Sequence, residues 1–463
     1  MPGDFSEGKT FRDLVAKCGE HFRSIEDANT IVIKLGSSLI LRESEERRRQ
    51  GVPSMEIDRD RLSAFIKSIS EMVIGDKAKK REIVFVSSGA VGLGRSILKI
   101  NKSEEKLEDK QAAAAVGNAD LIKYYVEEFK NNGVIAGQVL MTPQNTDHSR
   151  SRHNIRKTIF GMLKRNVVPI INENDAVTTY GIRYGDNDSL ASLVAKTITA
   201  DTVVLFTDIL GFYTNFGEEN QGLEIFSEGV SREHISGAGG AGTDVGTGGM
   251  ATKVNAARIA TEQAGCNLVI ACGRDPIATF LHEKQLLSGK TGKKLSRRDD
   301  RDHSNVSRLF KGNLPFTIFK SRLNPAQARS LAIYDEAMSK YGKIVITEFE
   351  PGRDILPEYI LAVSGEADRG EAIRIIEASP VGVNKLIGFG ILAHSLADVM
   401  KIRGLQSAEE VAERLGYSGR HAVVKAEDFV LQNQALSALK ASNLPISNEK
   451  AFIPAIGEEA KQD

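Results

Sequence analysis

Apolar runs of four to six residues recur along the first two-thirds of the chain. They read TIVIKL at 30–35, IVFV at 83–86, VVPII at 167–171, TVVLF at 202–206 and NLVIA at 267–271. Runs that are apolar throughout, rather than at every second position, predict strands buried on both faces, the habit of a parallel sheet. Small or polar residues follow each of the first four: Gly36-Ser37-Ser38, Ser87-Ser88-Gly89-Ala90, Asn172–Asp175, and Thr207-Asp208 with Gly211 just beyond. Helical patterns then begin, clearest after Gly185-Asp186-Asn187-Asp188 and in KVNAARIATEQAG at 253–265. Strand, small-residue loop and helix, repeated, predict an α/β fold with an open, mainly parallel sheet between helical layers.

The pattern changes near residue 283. EKQLLSGKTGKKLSRRDDRDHSNVSR is polar and weakly periodic, as expected of a linker or exposed loop, with acidic residues interrupting its positive charge. Short alternating strands separated by Gly and Pro follow over 343–432 and predict a small, mostly β unit, a compact barrel. The expected organisation is an N-terminal extension over 1–26, a catalytic domain over 27–284, a linker with a helical insertion over 285–342, the β unit over 343–432 and a tail over 433–463. Two excursions stand out in the catalytic domain: a charged stretch at 41–57 and a long loop at 214–245.

Composition narrows the function classes. The 463 residues carry 61 basic and 61 acidic side chains, so no global charge draws the chain to nucleic acid or to a membrane surface. Cys18, Cys266 and Cys272 form no disulfide framework and read as thiols of a reducing compartment. The N-terminus has no hydrophobic signal core and nowhere do 18 apolar residues run together, so the expected location is the cytoplasm, with no membrane partner.

Candidate chemistry gathers where the strands end. Parallel sheets bind ligands outside the carboxyl ends of their strands, where helix N-termini offer free N–H groups to anions. Lys34 stands inside the first strand and Lys253 follows the glycine-rich run GTGGMATK at 246–253. Several glycine-containing turns, two bearing a lysine, point to a polyphosphate. Asn172–Asp175 and Gly185–Asp188 form two polar clusters at strand and helix ends, suited to reading a small polar substrate because Asn and Asp accept at fixed geometry. Ordinary readings stand beside these: Ser88 or Asp188 as a helix cap, Asp208 as a turn cap, and Met250 as packing. No GxxxxGK[ST] or GxGxxG occurs at a strand–helix junction, and HRD and DFG are missing, which removes P-loop, dinucleotide and protein-kinase readings.

KLGSS (34–38), SSGAVGLGR (87–95), KQAAAAVGNADLI (110–122), GQVLMT (137–142), NENDAV (172–177), GDNDSLA (185–191), TD (207–208) and GTGGMATK (246–253) together resemble the amino acid kinase family. NENDAV with GDND at this spacing resembles the branch that phosphorylates the side-chain carboxylate of L-glutamate, the first step of proline biosynthesis. The resemblance covers about 29 to 276 and implies the three-layer α/β/α fold, with ATP and Mg2+ as cofactors. It implies catalytic roles for Lys34, Lys253 and Asp188, and glutamate contacts from Ser88, Asp175 and Asn187. It assigns ATP to Lys34, Thr207, Asp208, Thr247, Gly248, Gly249, Met250, Ala251, Thr252 and Lys253, with no protein metal ligands. It further implies a homo-oligomer, dimer or tetramer, inhibition by proline, and a separate reductase that takes the labile acyl phosphate. Arg183, just before GDND, replaces the lysine of many relatives and keeps the charge but not the geometry.

ILPEYILAVSGEADRGEAIRI and ERLGYSGRHAVVKAEDFVL resemble the RNA-binding PUA domain of pseudouridine synthases and archaeosine transglycosylases, which many microbial members carry at their C-terminus. No aromatic–basic stacking stripe stands out, so a regulatory or assembly module is favoured over RNA binding. Two alternatives remain open from sequence: a kinase for another small acid, and an RNA-binding protein with an inactive kinase half.

Overall fold

The structure is a computed structural model, and it describes residues 3–4, 10–44, 54–75, 79–101, 105–142, 145–146, 149–177, 187–214, 222–231, 234–235, 249–277, 279, 305–339, 342–379, 384–416 and 421–442. Two compact units divide near Pro325.

The first unit is built on an eight-stranded sheet. In chain order its elements are β1 (Thr30–Leu35), α1 (Arg59–Ile74), β2 (Glu82–Val86), α2 (Ala90–Leu98), α3 (Leu107–Asn131), β3 (Ile135–Met141), β4 (Val167–Glu173), α4 (Asn187–Ile198), β5 (Thr202–Thr207), β6 (Phe226–Glu228), α5 (Met250–Arg258), β7 (Asn267–Cys272) and β8 (Phe316–Lys320). Across the sheet the strands run β6-β8-β7-β5-β1-β2-β4-β3. The six strands from β7 to β3 are mutually parallel; β8 is antiparallel to β7, and β6 is parallel to β8. From β1 the chain proceeds to β2, then returns past β1 to β5, which makes the carboxyl end of β1 the switch point where such sheets bind ligands.

Burial on both faces explains the apolar runs. In β1, Ile31, Ile33 and Leu35 join a core cluster with Phe65, Ile66 and Phe129, while Val32 joins one with Leu190, Ala191, Val194 and Val254 on the other face. Burying each such side chain contributes about 1.5–3 kcal/mol. Cys266 lies in the second cluster, and burial pushes its thiol up to about 12. Among the described residues no helix is long and apolar enough to cross a membrane.

The structure departs from the sequence reading at the margins of this unit. Phe316–Lys320, in the stretch read as linker, is a buried strand of the large sheet, because FTIF has the length and burial of a strand whatever the polarity ahead of it. The stretch read as a long loop at 214–245 supplies Gly222–Glu224, paired with Phe212–Thr214, and edge strand β6. The charged stretch at 41–57 holds an antiparallel ribbon, Leu41–Glu43 with Met55–Ile57. The extension contributes a capped helix, Phe11–Gly19, whose Leu14 and Cys18 enter the core.

The second unit carries α6 (Pro325–Ser339), β9 (Lys343–Ile346), β10 (Ile360–Ser364), β11 (Ala372–Glu377), β12 (Lys385–Leu392), α7 (Leu396–Ile402), α8 (Ala408–Leu415), β13 (Val424–Leu431) and α9 (Gln432–Ser442). Its five strands order β10-β9-β11-β12-β13, mixed in direction, and a bridge from Ile355 to Val424 draws the stretch ahead of β10 onto β13. That pairing gives the strand-rich, barrel-like unit expected. α9 falls in the stretch read as tail; Ala435, Ala438 and Leu439 bury its apolar face.

Candidate active site

Strand alternation aims Lys34. Residues two apart on a strand share a face, so Lys34 projects with Val32 to the side covered by α4 and α5. There the Lys34 ammonium lies 2.5 Å from Oδ1 of Asp188, and the Lys253 ammonium lies 3.1 Å from Oδ2 of the same carboxylate. Thr252 Oγ1, with one hydrogen to give, lies 2.7 Å from the Gly249 carbonyl oxygen and 3.3 Å from Asp188 Oδ2. Asp188 is 0% exposed, with Lys34 and Lys253 at 6% and 8%. Burial alone would push its carboxyl up, yet the two ammonium groups prevail and hold it well below the usual carboxylate range. Asp188 also stands in the first turn of α4, where the helix dipole favours a negative charge.

Packing between α4 and α5 fixes this arrangement. Ser192 Oγ donates to the Ala256 carbonyl at 2.8 Å, and Asn255 Nδ2 donates to Ser189 Oγ at 3.0 Å. Among the described residues, two cations meet one carboxylate in a site nearly closed to water. Ammonium groups held in this way can stabilise an anion without the reorganisation that mobile solvent requires.

Next to Asp188, Asn187 opens a second cluster. Its Nδ2, with two hydrogens to give, lies 2.6 Å from the Ser87 carbonyl oxygen, 3.0 Å from Ser88 Oγ and 3.2 Å from Asn172 Oδ1. Asn172 Oδ1 also accepts from the Glu173 backbone N–H at 3.0 Å, while its Nδ2 donates to Asn118 Oδ1 on α3 at 3.2 Å. Ser87 Oγ lies 2.9 Å from the Tyr125 hydroxyl, also on α3. The ends of β2 and β4 and the start of α4 thus meet around one set of amides and hydroxyls. Gly89 makes the turn into α2 at a φ of 91°, a left-handed conformation that favours glycine. The α2–α3 crossing is close: a Cβ on Gly94 would stand 1.8 Å from the Ala113 carbonyl oxygen, and one on Gly117 1.9 Å from that of Ala90.

The remaining expected residues that the structure describes stand at other strand and helix ends. Asp175 lies in the turn after β4; burial raises its carboxyl above the usual range and Lys110 on α3 draws it partly back. Thr207 ends β5, its Oγ1 donating to Asp208 Oδ1 at 3.2 Å and its carbonyl accepting from Gly273 N–H at 2.7 Å. β5 adjoins β1 with Lys34 in register with Leu205, so Thr207 and Asp208 follow just beyond that pairing. Gly249 caps α5 without a side-chain hydrogen bond, which leaves the first N–H groups of Met250, Ala251 and Thr252 to be satisfied by a ligand or solvent. Met250 packs against the core cluster of that face. Thr247, Gly248, Arg183 and Gly185-Asp186 lie outside the described residues.

Lys34, Asp188, Thr252 and Lys253 therefore form one contact group, and Ser88 and Asn187 a second, joined by the Asn187–Asp188 peptide. Among the described residues, no hydrogen bond or ion pair places Asp175, Thr207 or Asp208 in either group. Asn172 belonged to a polar cluster already noted in the sequence; Asn118 lies in the stretch KQAAAAVGNADLI that carries the family resemblance, but no role was assigned to it there.

Residues 29–272 match the model of the amino acid kinase family. Curated relatives called glutamate 5-kinase match over nearly the whole length. That of Sinorhizobium fredii is 35% identical over 417 residues, 88% of this chain and 93% of the relative. That of Rhizobium leguminosarum bv. trifolii is 36% identical over 411 residues, 87% and 93% of the two chains. That of Rhodopseudomonas palustris is 34% identical over 414 residues, 88% and 97%. With a family model over more than half its length and relatives this similar along most of it, the chain belongs to the amino acid kinase family, and within it to the glutamate 5-kinases.

Proposed function

We propose that this chain transfers the γ-phosphoryl group of ATP to the side-chain carboxylate of L-glutamate, giving L-glutamyl 5-phosphate and ADP, the first step of proline biosynthesis. A carboxylate oxygen attacks the γ-phosphorus, the bond to the β–γ bridging oxygen breaks, and no covalent enzyme intermediate is needed. The enzyme's task is to bring two anions together and to neutralise charge on the transferring group. The observation that carries the reading is the pair of lysines, Lys34 and Lys253, held on the two oxygens of buried Asp188 directly beside the Ser88–Asn187 cluster.

In this reading Lys34 and Lys253 stabilise the transferring phosphoryl oxygens and Asp188 keeps both ammonium groups in place. Ser88, Asn187 and Asp175 receive glutamate. The α5 N-terminus over Gly249–Lys253, with Thr207, Asp208, Thr247 and Gly248, receives ATP. Mg2+ would enter as an ion brought in on the phosphates, since magnesium prefers phosphate oxygens and water. When bound it supplies charge neutralisation on the β- and γ-phosphates.

The finer expectations join the same proposal: a cytoplasmic homo-oligomer, inhibited by proline at or beside the glutamate pocket, that hands its labile product to a separate reductase. The C-terminal unit over 343–432 is a PUA-like regulatory or assembly module in this reading. ADP release with MgATP and a panel of acids tests the substrate. Turnover with glutamate and not with aspartate or N-acetylglutamate supports the reading; turnover with another acid alone replaces glutamate.

A further inference from the structure

We infer that Asn118, on α3 and outside the expected site, is a positioning residue that sets the orientation of the glutamate-reading amides; this rests on the function proposed above. An asparagine amide can sit in two orientations, exchanging donor for acceptor, and its neighbours decide between them. Asn118 Oδ1 accepts from Asn172 Nδ2 at 3.2 Å, which turns Asn172 Oδ1 toward Asn187. The Glu173 N–H on Asn172 Oδ1 reinforces that choice.

Asn187 is thereby held with its Nδ2 facing three acceptors, Ser87 O, Ser88 Oγ and Asn172 Oδ1. Its own Oδ1 is shielded from solvent and has no hydrogen-bond partner among the described residues. A buried acceptor left so is costly unless a donor arrives. Both carboxylates of glutamate only accept; its α-ammonium is its one donor, so the orientation set from Asn118 presents Asn187 Oδ1 to that group. The helix is suited to the task. Asn118 and Tyr125 lie two turns apart on α3, one bonded to the end of β4 and the other to the Ser87 hydroxyl beyond β2.

The experiment is a kinetic double-mutant cycle with Asn118→Ala, Asn172→Ala and the double variant, measuring KM for glutamate and for ATP alongside kcat and the melting temperature. Loss of one neutral hydrogen bond in the relay is expected to raise the glutamate KM of Asn118→Ala about five- to tenfold, with the ATP KM within about twofold of wild type. Because Asn118 acts through Asn172, the double variant is expected to match Asn172→Ala rather than the product of the two effects. An unchanged glutamate KM, multiplicative effects, or both KM values rising with a lowered melting temperature would each overturn the inference. Wild-type enzyme that turns over another acid in place of glutamate refutes the proposed function first, and the inference falls with it.

Discussion

The ammonium of Lys34 stands 2.5 Å from Oδ1 of Asp188, and it does so although β1 and the start of α4 are remote in the chain. The contact exists because Val32 and Lys34 share a strand face with the core beneath α4. With Lys253 on the other carboxylate oxygen, one buried anion positions two cations.

Replacing that anion should therefore be far worse than losing a surface ion pair. Asp188→Asn keeps the shape and leaves two buried ammonium groups facing each other. Turnover is expected to fall about 10²–10³-fold, as for loss of a preorganised electrostatic group, with about 3–5 kcal/mol of stability lost as for a broken buried pair. Steady-state kinetics and urea unfolding check both.

Acid should erase the stability difference. The Asp188 carboxyl is held below its ordinary value in the fold, so its contribution is fully present above the unfolded-state value of about 3.9 and is lost as pH falls through the folded value. The gap in unfolding free energy between wild type and Asp188→Asn is expected to be flat from about pH 5 to about pH 8 and to shrink only on acidification below about pH 4.

Asp175 runs the opposite way. Burial raises its carboxyl, so ionisation at neutral pH works against the fold, and stability is gained as pH falls through the raised folded value. Asp175→Asn is expected to melt no lower than wild type at neutral pH while its glutamate KM rises at least about tenfold, the loss of a charge-assisted contact. Thermal melts beside substrate titrations show whether stability and binding part company in this way.

The α2–α3 crossing gives a purely steric expectation. A methyl group on Gly94 meets the Ala113 carbonyl oxygen at 1.8 Å, backbone that cannot swing aside. Gly94→Ala should lower stability by at least about 1–3 kcal/mol and raise the glutamate KM, because the displaced α3 carries Asn118. A shift in the urea midpoint measures the first effect.

Local signals made much of this legible beforehand. A lysine inside TIVIKL announced itself, since buried strands seldom carry one without use; the Asn187-Asp188 pair that opens α4 stood out through its nearness to Asn172–Asp175, because Asn and Asp at a helix start are ordinary caps. What stayed hidden depended on distant partners. Asn118 lies in a stretch that carried the family resemblance, but its partner Asn172 is 54 residues away and nothing local announces that bond. Phe316–Lys320 and Gln432–Ser442 were passed over because polar flanks concealed short apolar patterns whose burial is decided by the units they join.

The most direct measurement traps the acyl phosphate. Purified protein with MgATP, glutamate and hydroxylamine is assayed for hydroxamate beside Lys34→Ala and Lys253→Ala. The expected result is hydroxamate from wild type that depends on glutamate and ATP, reduced at least about a hundredfold in each variant. Wild-type levels of hydroxamate from either lysine variant would contradict the account of two lysines held on one buried carboxylate.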